Sequence, residues 1–277
     1  MGTLINKIIF DDIDSSDYGV FISGEGAYNA PARRGEVVKI PGRNGDIFLD
    51  EGAFDNIEVN YPAFIGEGTQ SNFAERMMEL RSALTAKAGY RRLEDTYHSD
   101  EFRLGFYHAG LEVEPQHYNR AGKFTMIFDC KPQRFLKSGE KVISFDAPGT
   151  IYNPTTFESM PIIKVTGDGA VAFSSSEKTY GFTVTDNPGT ITIDTEFMES
   201  YIYGGELHNL TDQNDKFVVD SMLVPIQIAN GLDSFESMNS HITFNDYVMP
   251  KLPTGEVNIG FESTITSIEL IPRWWCL

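Results

Sequence analysis

Histidine and cysteine are the side chains best suited to metal or nucleophilic chemistry, and here their spacing supports neither. His98, His108, His117, His208 and His241 never fall at HxH or HxxxH spacing, and Cys130 and Cys276 form no CxxC. A zinc site needs three or four convergent ligands and a disulfide framework needs several cysteines, so neither is expected. Gly24-Glu25-Gly26-Ala27-Tyr28-Asn29 opens like a dinucleotide fingerprint but lacks the third glycine and a following helical pattern. There is no GxSxG, HExxH or P-loop. The 40 Asp and Glu residues offer many chance carboxylate pairs, but no spacing singles one out for glycosidase chemistry. Surface charge for solubility is the plainer reading. Asn209-Leu210-Thr211 matches the glycosylation sequon and nothing around it gives it further meaning. The expectation is a chain with no catalytic residue, metal or cofactor.

Trp274 and Trp275 are the remaining candidates. Adjacent flat aromatics can stack on sugar or fill a pocket. The preceding residues 264–271 alternate, with Ile265, Ser267 and Glu269 on one face and Thr266, Ile268 and Leu270 on the other. That reads as a strand, which Pro272 then stops from ladder pairing. The aromatic pair lies too close to the strand end to wander, so packing into the protein is favoured over ligand stacking.

The elements that would carry these residues are set by composition and pattern. The chain has 277 residues, 41% hydrophobic and 12% aromatic, which is globular and long enough for two cores. Net charge is −18, split as 16 basic and 22 acidic residues over 1–140 and 6 and 18 over 141–277. Such acidity repels nucleic acid and anionic membranes. No run of about 18 apolar residues is present. Met1–Asn6 lacks the basic start of a secretory signal and fails the myristoylation pattern, so neither is expected.

Most of the chain reads as β. Ile57, Val59 and Tyr61 alternate with polar residues, and so do Phe102, Leu104 and Phe106, and Phe124, Met126 and Phe128. Gly42-Arg43-Asn44-Gly45-Asp46 contains the Asn-Gly hairpin signal, which predicts a tight turn at Asn44-Gly45 between strands near Glu36–Ile40 and Asp46–Leu49. One helix is expected near 72–88. Phe73, Met77, Leu80 and Leu84 form its apolar stripe, Asn72 caps it with Glu75, and Gly89 ends it. A domain boundary falls between Pro132 and Pro154, giving 1–140 and 141–277. The second part holds short runs at Pro161–Val165, Val171–Phe173, Gly181–Val184, Thr190–Ile193 and Ile265–Ile271, with turns at Asp168-Gly169 and Asn187-Pro188-Gly189. Leu232–Ser240 reads as loop.

The order of these features resembles the distal tail (Dit) proteins of siphophages and related prophages. The resemblance rests on Val38–Asp46 leading into Asn56–Tyr61, a single helix, and aromatic strands ending at Lys131-Pro132. It continues through Tyr152-Asn153-Pro154, Met160–Gly169, Ile191–Asp194 and Pro250–Glu256 to Pro272-Arg273-Trp274-Trp275. It implies a mainly β protein of two β-sandwich domains, the first carrying the helix and the second galectin-like or carbohydrate-binding-module-like. It also implies a homohexameric ring in the virion tail tip, assembled in the host cytoplasm. The ring would join the tail tube protein to the tail-associated hub protein, with a receptor-binding protein or tape measure protein as further partners. The family brings no catalytic residue, no direct nucleic-acid recognition and no membrane. The chain departs from the pattern at about 215–247, which reads as an insertion with β-like runs at Lys216–Val219 and Pro225–Ala229. The resemblance also implies a terminal strand packed back near the domain junction. A carbohydrate-binding protein recognising host cell-wall sugar is the competing reading, and a glycoside hydrolase a distant third.

Overall fold

A computed structural model describes residues 6–23, 28–66, 69–202 and 236–277. Gly24–Ala27, His208, the Asn209 sequon and both β-like runs of the expected insertion lie outside them. The chain divides into two compact units, Met1–Arg134 with Leu277 and Phe135–Cys276. The division falls inside a strand, a few residues ahead of the boundary placed at 140.

Unit 1 contains β1 (Ile8–Phe10), β2 (Ile13–Asp14), β3 (Val20–Ile22), β4 (Arg33–Val38), β5 (Ile47–Phe54), β6 (Ile57–Gly66), α1 (Gln70–Thr85), β7 (Arg91–Asp95), β8 (Glu101–Tyr107), β9 (Val113–Gln116) and β10 (Ala121–Leu136). One sheet runs β2-β1-β7-β8-β10-β6-β3, with β9 also on β10. The sheet curls. Three strand spacings would hold β1 and β10 about 14 Å apart if flat, yet the Phe10 and Phe128 rings lie 5.0 Å apart. Strict alternation drives this core: Ile57, Val59, Tyr61, Ala63 and Ile65 all face inward from β6, and Phe124, Met126, Phe128 and Cys130 from β10.

The buried stripe of α1 is Phe73, Met77, Leu80 and Leu84, as its period requires. Its ends differ from expectation. Thr69, extended at φ −132, is the N-cap, and its hydroxyl accepts the Asn72 N–H at 3.3 Å, so Asn72 lies inside the first turn. The last turn tightens, with the Ala86 N–H donating to Ala83 O, and the helix ends before Gly89.

Strand β8 forms where the alternation places a strand, and its apolar residues Phe102, Leu104 and Phe106 lie outside the unit 1 core cluster. Arg103 is the residue opposite the buried Leu93, and opposed residues share a face. Phe102 is covered instead by the Arg92 guanidinium, 3.7 Å from its ring centre.

Unit 2 contains β11 (Ile143–Phe145), β12 (Gly149–Asn153), β13 (Ile162–Gly167), β14 (Gly169–Ser174), β15 (Thr179–Val184), β16 (Thr190–Asp194), β17 (Glu199–Ile202), β18 (Glu236–Ser237), β19 (Ile242–Phe244), β20 (Gly255–Phe261) and β21 (Ile265–Ile271). Two sheets, β11-β21-β13-β16-β17-β18 and β12-β20-β14-β15-β19, share one core, which makes this unit a sandwich. The β21 alternation is broken by a bulge. Thr166 pairs with Ser267 but Gly167 pairs with Ile265, so Thr266 is the extra residue. The bulge lets Ile265 and Ile268 both reach the core despite opposite parity. The region read as loop at Leu232–Ser240 includes β18, which pairs with β17, and Met238 is buried.

Candidate assembly surface

The motif Gly42, Arg43, Asn44, Gly45, Asp46 lies at the exposed end of a hairpin that, among the described residues, belongs to no larger sheet. Among the described residues strands β4 and β5 pair only with each other, from Val38↔Ile47 to Arg33↔Phe54. Asn44-Gly45 is not the tight turn. The Arg43 N–H donates to Ile40 O at 3.2 Å, closing a turn over Pro41-Gly42, with Gly42 at φ +78. Proline followed by a positive-φ glycine suits that turn, and Gly45 (φ +83) then brings the chain back into β5.

An isolated two-stranded hairpin is marginal in water. This one also exposes apolar side chains: Val37, Phe48 and Leu49 are 58%, 46% and 53% exposed. Val37 and Phe48 are directly opposed and therefore share a face. Its ion pairs, Arg33–Asp50 and Arg34–Asp55, are solvent-exposed and contribute little. The sequence marks these residues only through the apolar runs flanking the turn, which predict strand and not surface.

The second motif is placed differently. After β21, Arg273 adopts φ +54 and its N–H donates to Gly139 O at 2.8 Å. Trp274 is 4% exposed within the sandwich core. It fills the space beside Gly139, where a Cβ would lie 2.3 Å from the Trp274 nitrogen. The Trp274 carbonyl accepts the Leu136 N–H at 2.8 Å. Trp275 stacks on Phe157 at 4.3 Å and donates Nε1–H to Glu158 O at 3.0 Å.

The Arg273 guanidinium is buried and meets Asp194 with two hydrogen bonds, 2.8 and 2.5 Å. Burial pulls its pKa down, and the Asp194 carboxylate more than offsets this, leaving it raised. Asp194 also accepts the Glu196 N–H at 3.1 Å, so one carboxylate fixes both the turn after β16 and the chain end. Sequence reading missed Asp194 as a partner; a carboxylate closing an apolar strand was the available signal.

A second polar cluster lies in unit 1. Asp95 accepts Tyr61 Oη–H at 2.7 Å and the Tyr97 and His98 N–H groups at 2.9 Å each. Nearby Arg103 is buried, and desolvation together with Arg134 lowers its pKa. The Asp95 contacts pin the turn between β7 and β8; they do not assemble a nucleophile with its base. Among the described residues no group of three His, Cys, Asp or Glu could hold a metal ion.

No protein-family model matches the chain, and no curated protein does. The solved structure of phage SPP1 Dit (gp 19.1), described as a paradigm of the hub adsorption apparatus in phages infecting Gram-positive bacteria, overlays with TM-score 0.65 at 13% identity. The overlay covers 96% of this chain and 98% of that one. The fold is Dit-like. It is mainly β, with a single α-helix among the described residues, in unit 1. Phage P2 baseplate structures in the activated conformation with Ca and with Sr overlay at TM-scores 0.49 and 0.47, with 8% and 9% identity. These cover 96% and 97% of this chain, and 96% and 98% of theirs.

Proposed function

We propose that this chain is a structural protein of a phage tail tip, in which residues 1–140 form a homohexameric ring joining the tail tube protein to the tail-associated hub protein. The Dit-like fold across 96% of the chain carries this reading. The hairpin β4–β5 supports it, since Val37, Phe48 and Leu49 are left exposed by the described residues and a second copy of the chain would cover them. A head-to-tail contact of that kind closes into a ring when its rotation permits. The role requires no catalytic residue. The net charge of −18 suits a conduit that must not hold DNA phosphates. A receptor-binding protein or tape measure protein is a further partner in this scheme, and the virion is its place.

Light scattering of the full chain over a wide concentration range tests the ring. A hexamer mass is expected, with Phe48→Asp or Val37→Asp shifting it toward monomer while the circular dichroism spectrum is kept. A strict monomer at every concentration overturns the ring.

A further inference from the structure

We propose that Asn44 is a site of spontaneous deamidation, a modification that needs only water as co-reactant. The Gly45 backbone nitrogen, giving its proton to solvent, adds to Asn44 Cγ. A C–N bond forms to close a succinimide, and the side-chain nitrogen leaves as ammonia. Water then opens the ring at either carbonyl, giving aspartate or, with the main chain rerouted through the side chain, isoaspartate. No oxidant or reductant enters.

The step requires a free side-chain amide, a following residue that does not shield its own nitrogen, and a backbone able to bend. Asn44 and Gly45 are both exposed, in the eight-residue connection between β4 and β5. Nothing lies within 4 Å of where a Cβ on Gly45 would stand. Neither the Asn44 side chain nor the Gly45 N–H makes a hydrogen bond among the described residues.

Asn56, Asn153, Asn187 and Asn239 are held by side-chain hydrogen bonds. Asn56 Nδ2 donates to Asp129 at 2.7 Å, Asn153 Nδ2 to Pro253 O at 3.1 Å, and Asn187 Nδ2 to Gly167 O at 3.0 Å. Asn239 Oδ1 accepts the Ser200 N–H at 2.8 Å. Asn153 and Asn187 also precede proline, which has no N–H to attack with. Asn44 alone among the described asparagines precedes glycine.

The product adds a carboxylate two residues from Asp46, in a loop whose cations are Lys39 and Arg43. Its effect on assembly rests on the ring reading; the chemistry itself does not. The test incubates the full chain at mildly alkaline pH and follows residues 39–47 by peptide mapping, beside a synthetic peptide of the same sequence. Conversion of Asn44 within a few-fold of the peptide rate is expected, ahead of Asn56, Asn153, Asn187 and Asn239, and blocked in Asn44→Gln. A rate more than about tenfold below the peptide's, about 1.4 kcal/mol of added barrier, overturns the proposal. Light scattering of Asn44→Asp reads the assembly effect separately, so a missing ring leaves the deamidation result standing.

Discussion

Arg273 and Asp194 meet fork to fork inside the unit 2 sandwich, with side chains only 2% and 5% exposed. Removing one partner takes away most of the compensation for the other, buried charge. Asp194→Ala is therefore expected to cost about 3–5 kcal/mol, reduced somewhat by Glu196, whose carboxylate stands 3.7 Å from Arg273 Nη1. Arg273→Met with Asp194→Leu should cost far less than the sum of the single changes. Denaturant unfolding of the four proteins measures the coupling, and additive losses would show that the pair acts as two independent contacts.

Trp274 and Trp275 should differ. Trp274→Ala empties a buried site and is expected to cost about 3–5 kcal/mol. Trp275→Ala removes a half-exposed stack on Phe157 and should cost clearly less. Deleting 272–277 takes the ion pair as well and should lower the melting temperature more than Trp274→Ala does. Binding to cell-wall polysaccharide is measured in parallel. Intact stability with lost sugar binding would put the lectin reading first.

Periodicity made much of this fold legible. Helix α1 and strands β6 and β10 bury the residues their spacing dictates, because each has one face against a single core. Which face of strand β8 meets the core is set by the pairing of Arg103 with Leu93, and that register lies in β7, beyond any local pattern. The hairpin turn was misplaced because two glycines compete within Pro41–Gly45. Only the Arg43–Ile40 hydrogen bond shows which one closes it. Asp194 stayed hidden because its partner is 79 residues away. The exposed faces of β4 and β5 look like ordinary strand in sequence; their isolation is a property of the sheet order.

Gly42 and Gly45 hold positive φ in a hairpin outside the core cluster. A valine at either position costs about 1–2 kcal/mol of local strain. That strain should appear as local opening rather than global unfolding. Faster amide exchange at β4 and β5 is expected in Gly42→Val and Gly45→Val, with the melting temperature of the isolated chain nearly unchanged. A large fall in melting temperature would mean that the hairpin folds cooperatively with unit 1.

Cys130 gives a probe of unit 1. Burial pushes its thiol up from 9.0 to about 12. The folded state thus favours the neutral thiol, so this contribution is full below about pH 9 and is lost as pH rises from there towards 12. In a Cys276→Ser background, a thiol reagent at neutral pH should label Cys130 only at the rate of unfolding, because the thiolate is the nucleophile. Across the sheet, a Cβ on Gly105 would stand 2.7 Å from Cys130 Sγ. Gly105→Ala should cost about 1–3 kcal/mol by overpacking and speed labelling. Adding Cys130→Ala to Gly105→Ala should recover most of that loss in denaturant unfolding. The other tight neighbour, Asp129 O at 3.3 Å from the same Cβ, is backbone and must give by a few tenths of an ångström. Failure of Cys130→Ala to rescue Gly105→Ala would place the strain on that carbonyl instead of the thiol.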